Sequence, residues 1–157
     1  MSIVVVKCGG ARAADAAAEI RALLRPGERV VVVHGAGPQI SEAMADRGLP
    51  VEFVRGRRVT SAAALAVVRE QLAAVNRALA SALGPRAVGL FGDVVGLRAP
   101  PVPELGLVGD ALPSRPPAVA AAVAASLVPV VAPLAVGPHI VNGDAAAAAL
   151  ALGLEAE

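Results

Sequence analysis

The sequence predicts an α/β fold, a three-layer αβα sandwich with a mainly parallel central sheet. Two observations lead to this prediction. Runs of valine at 4–6 and 30–33 show no polar alternation, as expected of strands buried on both faces. Segments with apolar residues at helical spacing follow these runs along the chain. Strands that alternate with helices favour parallel pairing, because each crossover helix packs against the sheet.

In chain order, a strand at 2–7 precedes a helix at 12–24, which Pro26-Gly27 ends. A strand at 29–33 then leads to a helix at 38–47, because Pro38 suits a first helical turn. Segment 51–59 is predicted to be short and partly extended. Thr60 or Ser61 caps a long helix at 61–83.

The second half predicts a strand at 86–91 and, across the Gly/Pro-rich region 93–115, small hairpins or an irregular loop. A helix at 116–125, a strand at 127–132 and a turn at 133–138 follow. An extended piece at 139–141 then precedes a polyalanine helix at 144–152.

Composition limits the classes of function. A chain of 157 residues with 56% hydrophobic and 17% charged residues predicts one globular domain over 1–157. The net charge of +1 argues against binding to nucleic acid or an anionic membrane. The apolar stretch 117–136 is interrupted by Pro129 and Pro133, which favours a buried helix and strand over a membrane span. The single cysteine, Cys8, and the absence of a signal-like start predict a cytoplasmic protein.

Two strands end in glycine turns that are typical of phosphate-handling sites. Lys7-Cys8-Gly9-Gly10 follows the first strand, and His34-Gly35-Ala36-Gly37 follows the second. Glycine lets backbone N–H groups approach an anion closely, and a helix that begins after the turn adds the positive end of its dipole. The sequence therefore predicts a local anion site at these turns.

The order of several segments resembles the amino-acid kinase family, and within it the acetylglutamate kinases. The segments are VVVKCGG, VVVVHGAGPQI, LPVEFVRGRRVT before a long helix, AVGLFGD, LGLVGD, VPVVAPLAVG and IVNGDAAAAALALGLEAE. Because they occur in collinear order through essentially all 157 residues, they are far more specific than one glycine motif. The resemblance covers the amino-terminal, substrate-binding and dimerising half of such an enzyme, so the ATP-binding lobe is expected to lie outside this chain.

The resemblance implies a transferase reaction of arginine biosynthesis, in which ATP phosphorylates the side-chain carboxylate of N-acetyl-L-glutamate. It implies Lys7 and Asp144 as catalytic residues, with Lys7 on the transferring phosphoryl group and Asp144 orienting the catalytic lysines. It places Arg58 on a substrate carboxylate, which a guanidinium can bind through two parallel N–H bonds. The other implied substrate-binding residues are Gly9, Gly10, Gly35, Ala36, Gly37 and Asn142.

The same resemblance implies ATP and Mg²⁺ as cofactors, with no metal-ligating residues assigned in this chain. It also implies a homodimer through helix 61–83 and leaves open a separate polypeptide that supplies the ATP lobe.

Two positions depart from the family pattern. Ala36 replaces the middle glycine of a Gly-Gly-Gly turn, and its methyl is expected to crowd the backbone there. Ile140 replaces the first asparagine of Asn-x-Asn-x-Asp and cannot donate a hydrogen bond.

Several of these residues also have structural interpretations. Lys7 could be a strand-end lysine in solvent, and the glycines could serve only tight turns. Asp144 could cap the last helix, and Asn142 has the same alternative. The charge cluster Arg55, Arg57 and Arg58 could be a solvated face. His34 is predicted to be structural. Cys8 is predicted to be either an apolar filler or a reactive thiolate activated by Lys7. The apolar stripe of helix 61–83 is predicted to be core, and its residues are Leu65, Val68, Leu72, Val75, Leu79 and Leu83.

Two functions remain open. The first is the substrate-binding half of an acetylglutamate kinase, inactive by itself. The second is a non-catalytic module that binds an acidic metabolite or only dimerises. The two share a fold, so fold cannot separate them.

Overall fold

The structure is a computed structural model that describes residues 2–156, so the two ends of the predicted domain, Met1 and Glu157, lie outside the described residues. The elements in chain order are β1 (Ile3–Cys8), α1 (Ala13–Leu23), β2 (Arg29–His34), α2 (Gly37–Asp46), β3 (Phe53–Val54), β4 (Arg57–Arg58), α3 (Ala62–Leu83), β5 (Ala87–Phe91), α4 (Gly92–Val95), α5 (Pro117–Ala124), β6 (Val128–Ala132), β7 (Leu134–Ala135), β8 (His139–Ile140) and α6 (Gly143–Leu154). Short 3-10 turns occur at Gly10–Arg12 and Pro103–Leu105.

The central sheet has four strands in the order β1-β2-β6-β5, and every pair in it is parallel. Strand β1 pairs with β2 along its whole length, from Ile3 opposite Arg29 to Cys8 opposite His34. The two strands therefore end side by side. This arrangement confirms the predicted α/β class and brings the two glycine turns to one edge of the sheet.

Helices cover both faces of the sheet, which gives the predicted three layers. Val30 and Val32 of β2 pack with α1, α2 and α3, while Val31 and Val33 pack with α5 and α6. This explains the unbroken valine run, because each face of β2 meets apolar side chains. The predicted stripe of α3 is buried throughout, from Leu65 to Leu83, and confirms its assignment as core.

The connecting segments are more structured than the sequence indicates. Segment 51–59 is a hairpin of β3 and β4 with a two-residue turn, Arg55-Gly56, in which both residues have positive φ. Such a turn matches the twist of its strands. Region 93–115 is mostly irregular, as predicted, but the chain first makes the short helix α4, which the sequence did not predict. Antiparallel β7 and β8 form a second small hairpin within 134–140.

The two glycine turns are in direct backbone contact. A Cβ placed on Gly10 would lie 2.5 Å from Cα of Ala36 and 2.6 Å from the carbonyl oxygen of Gly35. The amide of Gly35 also donates to the carbonyl of Cys8 at 3.1 Å, and Nε2 of Gln39 donates to the carbonyl of Gly10 at 2.8 Å. Only glycine fits at position 10, so this residue fixes the spacing of the turns.

A matched pair of substitutions tests this contact. Gly10→Ala should lower the free energy of unfolding by about 1–3 kcal/mol, because the new methyl must displace backbone rather than a flexible side chain. Gly9→Ala is the control, since a Cβ there meets nothing within 4 Å and Gly9 has φ −69°. Urea denaturation of both variants measures the difference. Equal stability of the two variants would contradict the packing described for Gly10.

Candidate functional site

An open pocket with a cavity volume of about 140 Å³ lies at the carboxyl edge of the sheet. Ligands of open α/β sheets bind at this edge. Its wall is formed by the turn after β2, the β3–β4 hairpin, and the segment that joins β6 to α6. The lining residues are Gly35, Ala36, Gly37, Ile40, Phe53, Gly56, Arg57, Arg58, Leu72, Val108, Pro133, Ile140, Val141, Asn142 and Gly143.

The turn after β2 presents the amino terminus of α2 to the pocket. Helix α2 begins at Gly37, and its N-cap residue Ala36 makes no side-chain hydrogen bond to the first turn. The first N–H groups of a helix have no partner within the helix and carry partial positive charge. Ala36 is 2% exposed, and its methyl packs in the apolar cluster on the α1–α3 face of the sheet.

Arg58 is the unusual charge of the pocket, because it is buried without a counter-ion. The residue is 6% exposed, and no carboxylate within residues 2–156 forms an ion pair with it. Its Nη2 donates to the carbonyl of Gly37 at 3.1 Å and to Oγ of Ser41 at 3.0 Å, and Nη1 lies 3.4 Å from Sδ of Met44. All three acceptors are neutral.

Burial lowers the pKa of the Arg58 guanidinium from its usual value. Arginine nevertheless stays protonated in proteins at neutral pH. A buried cation is costly unless it is paired, so this one favours an anion that comes from outside the described chain.

The hairpin holds Arg58 in place. Phe53 is its cross-strand partner, and the guanidinium carbon lies 4.7 Å from the centre of the Phe53 ring. The neighbouring Arg57 also lines the pocket, but it is paired with Asp110 at 2.6 Å. The cluster of arginines predicted from sequence thus divides: Arg55 is exposed, Arg57 is neutralised, and Arg58 is buried. A wholly solvated face is therefore the wrong interpretation of this cluster.

Lys7 and Asp144 meet beside the pocket. Nζ of Lys7 lies 3.2 Å from Oδ1 of Asp144, and the two side chains are 33% and 76% exposed. Gly143 joins this pair to the pocket, because it lines the cavity and a Cβ placed on it would lie 3.3 Å from Cε of Lys7. A lysine in this position can neutralise an anion that extends from the cavity toward the end of β1.

Asn142, and not Asp144, caps helix α6. Its Oδ1 accepts hydrogen bonds from the amides of Asp144 at 2.9 Å and of Ala145 at 3.1 Å. The alternative that Asp144 is the N-cap is therefore wrong. Asp144 lies in the first turn with its carboxylate directed to Lys7. Because the Oδ1 of Asn142 is used by the cap, its Nδ2 group is the part of this side chain that remains for a ligand.

Two titratable residues near the turns are held in neutral forms. Burial lowers the pKa of His34, which is completely buried and hydrogen-bonded to Asn76 and Gly35, as expected for a structural histidine. Burial also raises the pKa of the Cys8 thiol, and this effect exceeds the opposite influence of Lys7. The interpretation of Cys8 as a thiolate activated by Lys7 is thus wrong, and an apolar filler fits better.

The structure brings together most of the predicted site residues. Five of them line the pocket: Gly35, Ala36, Gly37, Arg58 and Asn142. Lys7 and Asp144 pair beside it. Gly9 and Gly10 do not line it, although Gly10 supports the turn that does. The sequence analysis missed the aromatic wall at Phe53, the links Gln39 and Asn76, and Gly143; of these, only the Asn142-Gly143-Asp144 motif carried a signal in the sequence.

The pocket favours a small acidic molecule with an apolar part. Beside the unpaired Arg58, its walls are largely apolar, with Ile40, Leu72, Val108 and Ile140 among them. Within residues 2–156, no group of three His, Cys, Asp or Glu side chains is close enough to hold a metal ion. None of the helices in that range is both long and apolar enough to cross a membrane.

Comparison with known proteins gives a family and a set of relatives. A model described as the amino acid kinase family matches residues 2–157. The chain is 42% identical to an acetylglutamate kinase of Rubrobacter xylanophilus, covering 99% of this chain and 65% of the relative. It is 38% identical to an acetylglutamate kinase of Jannaschia sp., covering 99% and 60%. The chain thus spans less than two thirds of the length of these relatives.

Solved structures show the same fold. The crystal structure of smu.665 from Streptococcus mutans UA159 superposes with a TM-score of 0.85 at 25% identity, over 98% of this chain and 69% of that one. An N-acetylglutamate synthase from Neisseria gonorrhoeae, in complex with coenzyme A and N-acetyl-glutamate, gives a TM-score of 0.79 at 24% identity, over 99% and 40%. The second likeness concerns the fold alone.

The cap and the ion pair of α6 should differ in their effect on stability. Asn142→Ala should lower the free energy of unfolding by about 1 kcal/mol, because two amides of the first turn lose their acceptor. Asp144→Asn should lower it by less than about 0.5 kcal/mol, because a solvent-exposed ion pair contributes little. Urea denaturation at neutral pH compares the two. A larger loss in Asp144→Asn would contradict the assignment of the cap to Asn142.

Proposed function

Because this chain belongs to the amino acid kinase family, we propose that it binds N-acetyl-L-glutamate as the substrate lobe of an acetylglutamate kinase. The observation that carries the proposal is the buried, unpaired Arg58 in the wall of the pocket at the carboxyl edge of the sheet. A substrate carboxylate would supply the missing counter-ion and accept parallel N–H bonds from the guanidinium. The acetyl group and the carbon chain would contact the apolar wall.

In this proposal, Lys7 steadies the phosphoryl group as it moves to the side-chain carboxylate of the substrate. Phosphoryl transfer to a carboxylate brings several negative charges together, so catalysis rests on positioning and on neutralising charge. Lys7 supplies a positive charge beside the pocket, and the uncapped start of α2 supplies backbone donors within it. Asp144 orients Lys7 through their ion pair. Gly9 and Gly10 keep the turn after β1 free of side chains.

ATP and Mg²⁺ are the cofactors that the family implies. ATP supplies the phosphoryl group when it is bound, and Lys7 with the neighbouring glycine turn fits an anionic oxygen of that group. The fit is partial, because residues 2–156 contain no cluster of metal-ligating side chains. Mg²⁺ is therefore assigned no protein ligand here.

We propose that residues 1–157 form one domain that binds substrate without turning it over. Support comes from the length of the match, since the chain spans 60% and 65% of two relatives named acetylglutamate kinase. The same proposal places the nucleotide site outside residues 1–157, on further chain or on a separate polypeptide. A cytoplasmic location fits the single thiol at Cys8.

A homodimer through α3 is part of the same proposal. The apolar stripe of α3 is already buried within the chain, so a second copy would contact the opposite face. That face is exposed and includes the small residues Ala66, Ala74 and Ala78, which allow close approach of a second helix.

Substitution of Arg58 tests the substrate assignment. Arg58→Ala should weaken binding of N-acetyl-L-glutamate by about 30-fold or more, as expected when a buried charged hydrogen bond of about 2 kcal/mol is lost. Arg58→Lys should recover only part of this loss, because an ammonium cannot make two parallel bonds. Isothermal titration calorimetry measures the affinities. Arg25→Ala, exposed at the opposite edge of the sheet, is the control and should bind as tightly as wild type.

Ligand analogues separate loss of the contact from loss of the fold. N-acetyl-L-glutamine lacks the side-chain carboxylate, and N-acetyl-4-aminobutanoate lacks the α-carboxylate. Wild type should discriminate strongly against the analogue that lacks the Arg58-bound carboxylate, and Arg58→Ala should discriminate weakly against the same analogue. Unchanged affinity in Arg58→Ala, or unchanged discrimination, would refute the assignment.

Turnover distinguishes the substrate lobe from a complete kinase and from a non-catalytic module. The chain alone, with ATP, Mg²⁺ and N-acetyl-L-glutamate, should give no acyl phosphate when hydroxylamine is present to trap it as the hydroxamate. It should still bind N-acetyl-L-glutamate in calorimetry. Formation of hydroxamate by the chain alone would show that these residues suffice for the reaction. Failure to bind the substrate at all would favour a module that only dimerises.

A further inference from the structure

His34 occupies a buried position at the centre of the site, and the proposed reaction gives it no role. It ends β2, is 0% exposed, and directly precedes the turn that lines the pocket. Its Nε2 lies 3.0 Å from Nδ2 of Asn76, and its Nδ1 lies 3.2 Å from the carbonyl oxygen of Gly35. Both ring nitrogens therefore have a partner.

The contacts of Asn76 fix which ring nitrogen carries the proton. Nδ2 of Asn76 lies 2.9 Å from the carbonyl oxygen of Val130, which can only accept, so this atom is the amide nitrogen. The same nitrogen must then donate its second hydrogen to Nε2 of His34. A protonated Nε2 would oppose one N–H with another. Nε2 is thus an acceptor, and the proton of the neutral ring is on Nδ1.

The protonated Nδ1 donates to the carbonyl of Gly35, and this carbonyl is the one that packs against the other glycine turn. A Cβ placed on Gly10 would lie 2.6 Å from this oxygen. The carbonyl oxygen of His34 itself faces α6, since a Cβ placed on Gly143 would lie 3.8 Å from it. His34 thus contacts Gly35 through its ring and lies near Gly143 through its carbonyl, and Gly35 in turn contacts Gly10.

Asn76 lies on α3, and its side chain contacts two strands of the sheet. A Cβ placed on Gly89 of β5 would lie 2.2 Å from Oδ1 of Asn76, so a glycine on the neighbouring strand leaves room for the amide. Asn76 is 3% exposed on a helix face that is otherwise apolar. The amide nitrogen of Asn76 and both ring nitrogens of His34 have hydrogen-bond partners, and these bonds favour one arrangement of the neighbouring residues.

We infer that His34, held by Asn76 as the Nδ1–H tautomer, is a positioning residue that sets the Gly35–Gly37 turn for substrate binding. It touches no substrate and transfers no proton. Its effect passes through the Gly35 carbonyl to the turn that begins α2 and to the contact with Gly10. The functional part of this inference rests on the proposed binding of N-acetyl-L-glutamate.

Two amide substitutions at position 34 separate the two hydrogen bonds. His34→Asn places an amide near the position of Nδ1 and keeps a donor for Gly35, but it loses the contact with Asn76. His34→Gln places an oxygen near the position of Nε2 and keeps an acceptor for Asn76, but it loses the donor for Gly35. Both variants bury a similar amide and lose one hydrogen bond, so a purely structural role predicts similar effects on ligand affinity.

The affinity for N-acetyl-L-glutamate should differ between these variants. We expect His34→Asn to bind within about twofold of wild type and His34→Gln to bind about five- to tenfold more weakly, as for one hydrogen bond of about 1 kcal/mol. Calorimetry at neutral pH measures both, with urea denaturation to confirm folding. Equal affinity in the two folded variants, or weaker binding by His34→Asn, overturns the positioning role.

Nitrogen-15 NMR of the wild-type ring tests the same inference without any variant or ligand. His34 should show a pyrrole-type Nδ1 and a pyridine-type Nε2, and a protonated Nε2 overturns the inference even if neither variant folds. In Asn76→Ala, the rate of amide hydrogen exchange at Gly35 should rise above its wild-type value. The rate at Gly27, which lies at the other edge of the sheet, should stay at its wild-type value. Wild type with this tautomer and exchange pattern but with no affinity for N-acetyl-L-glutamate would refute the proposed function and leave the positioning of the turn intact.

Discussion

The site depends on the close backbone contact between the turns that follow β1 and β2. Parallel pairing of these strands, in register from Ile3 to Cys8, brings both turns to one edge of the sheet. Gly10 then approaches Ala36 and Gly35 so closely that no Cβ fits at position 10. Lys7 of β1 lies next to Gly143, which lines the pocket. The charged and backbone groups of the site therefore share one rigid frame.

Electrostatics makes that frame a binding site. Arg58 is held by neutral acceptors and by the ring of Phe53, while the adjacent Arg57 is neutralised by Asp110. The fold thus leaves the buried guanidinium of Arg58 available to an anion in the pocket, with Lys7 beside the pocket. Burying an unpaired cation costs free energy, and the attraction of a bound anion offsets this cost. The site therefore favours acidic ligands over neutral ones of the same shape.

Much of this could be predicted from the sequence, because local patterns determine it. The valine run of β2 gave a strand buried on both faces, and the spacing of Leu65 to Leu83 gave a buried helix. The contacts that assemble the site could not be read in this way. His34 and Asn76 are 42 residues apart, and nothing near either residue indicates the other. The roles of Asn142 and Asp144 at the start of α6 depend on the direction of each side chain, which the motif alone leaves open.

The central claim is that the carboxyl edge of the sheet binds N-acetyl-L-glutamate. The most direct measurement is a nitrogen-15 chemical-shift titration of the whole chain with this compound. The amide chemical shifts of Gly35, Gly37 and Gly143 should change and reach a plateau as the ligand is added, because these residues line the pocket. The amide chemical shifts of Gly27 and Gly84 should not change, because these residues precede β2 and β5 at the opposite edge of the sheet. A saturable response confined to Gly27 and Gly84, or no response at any of these glycines, would contradict the account.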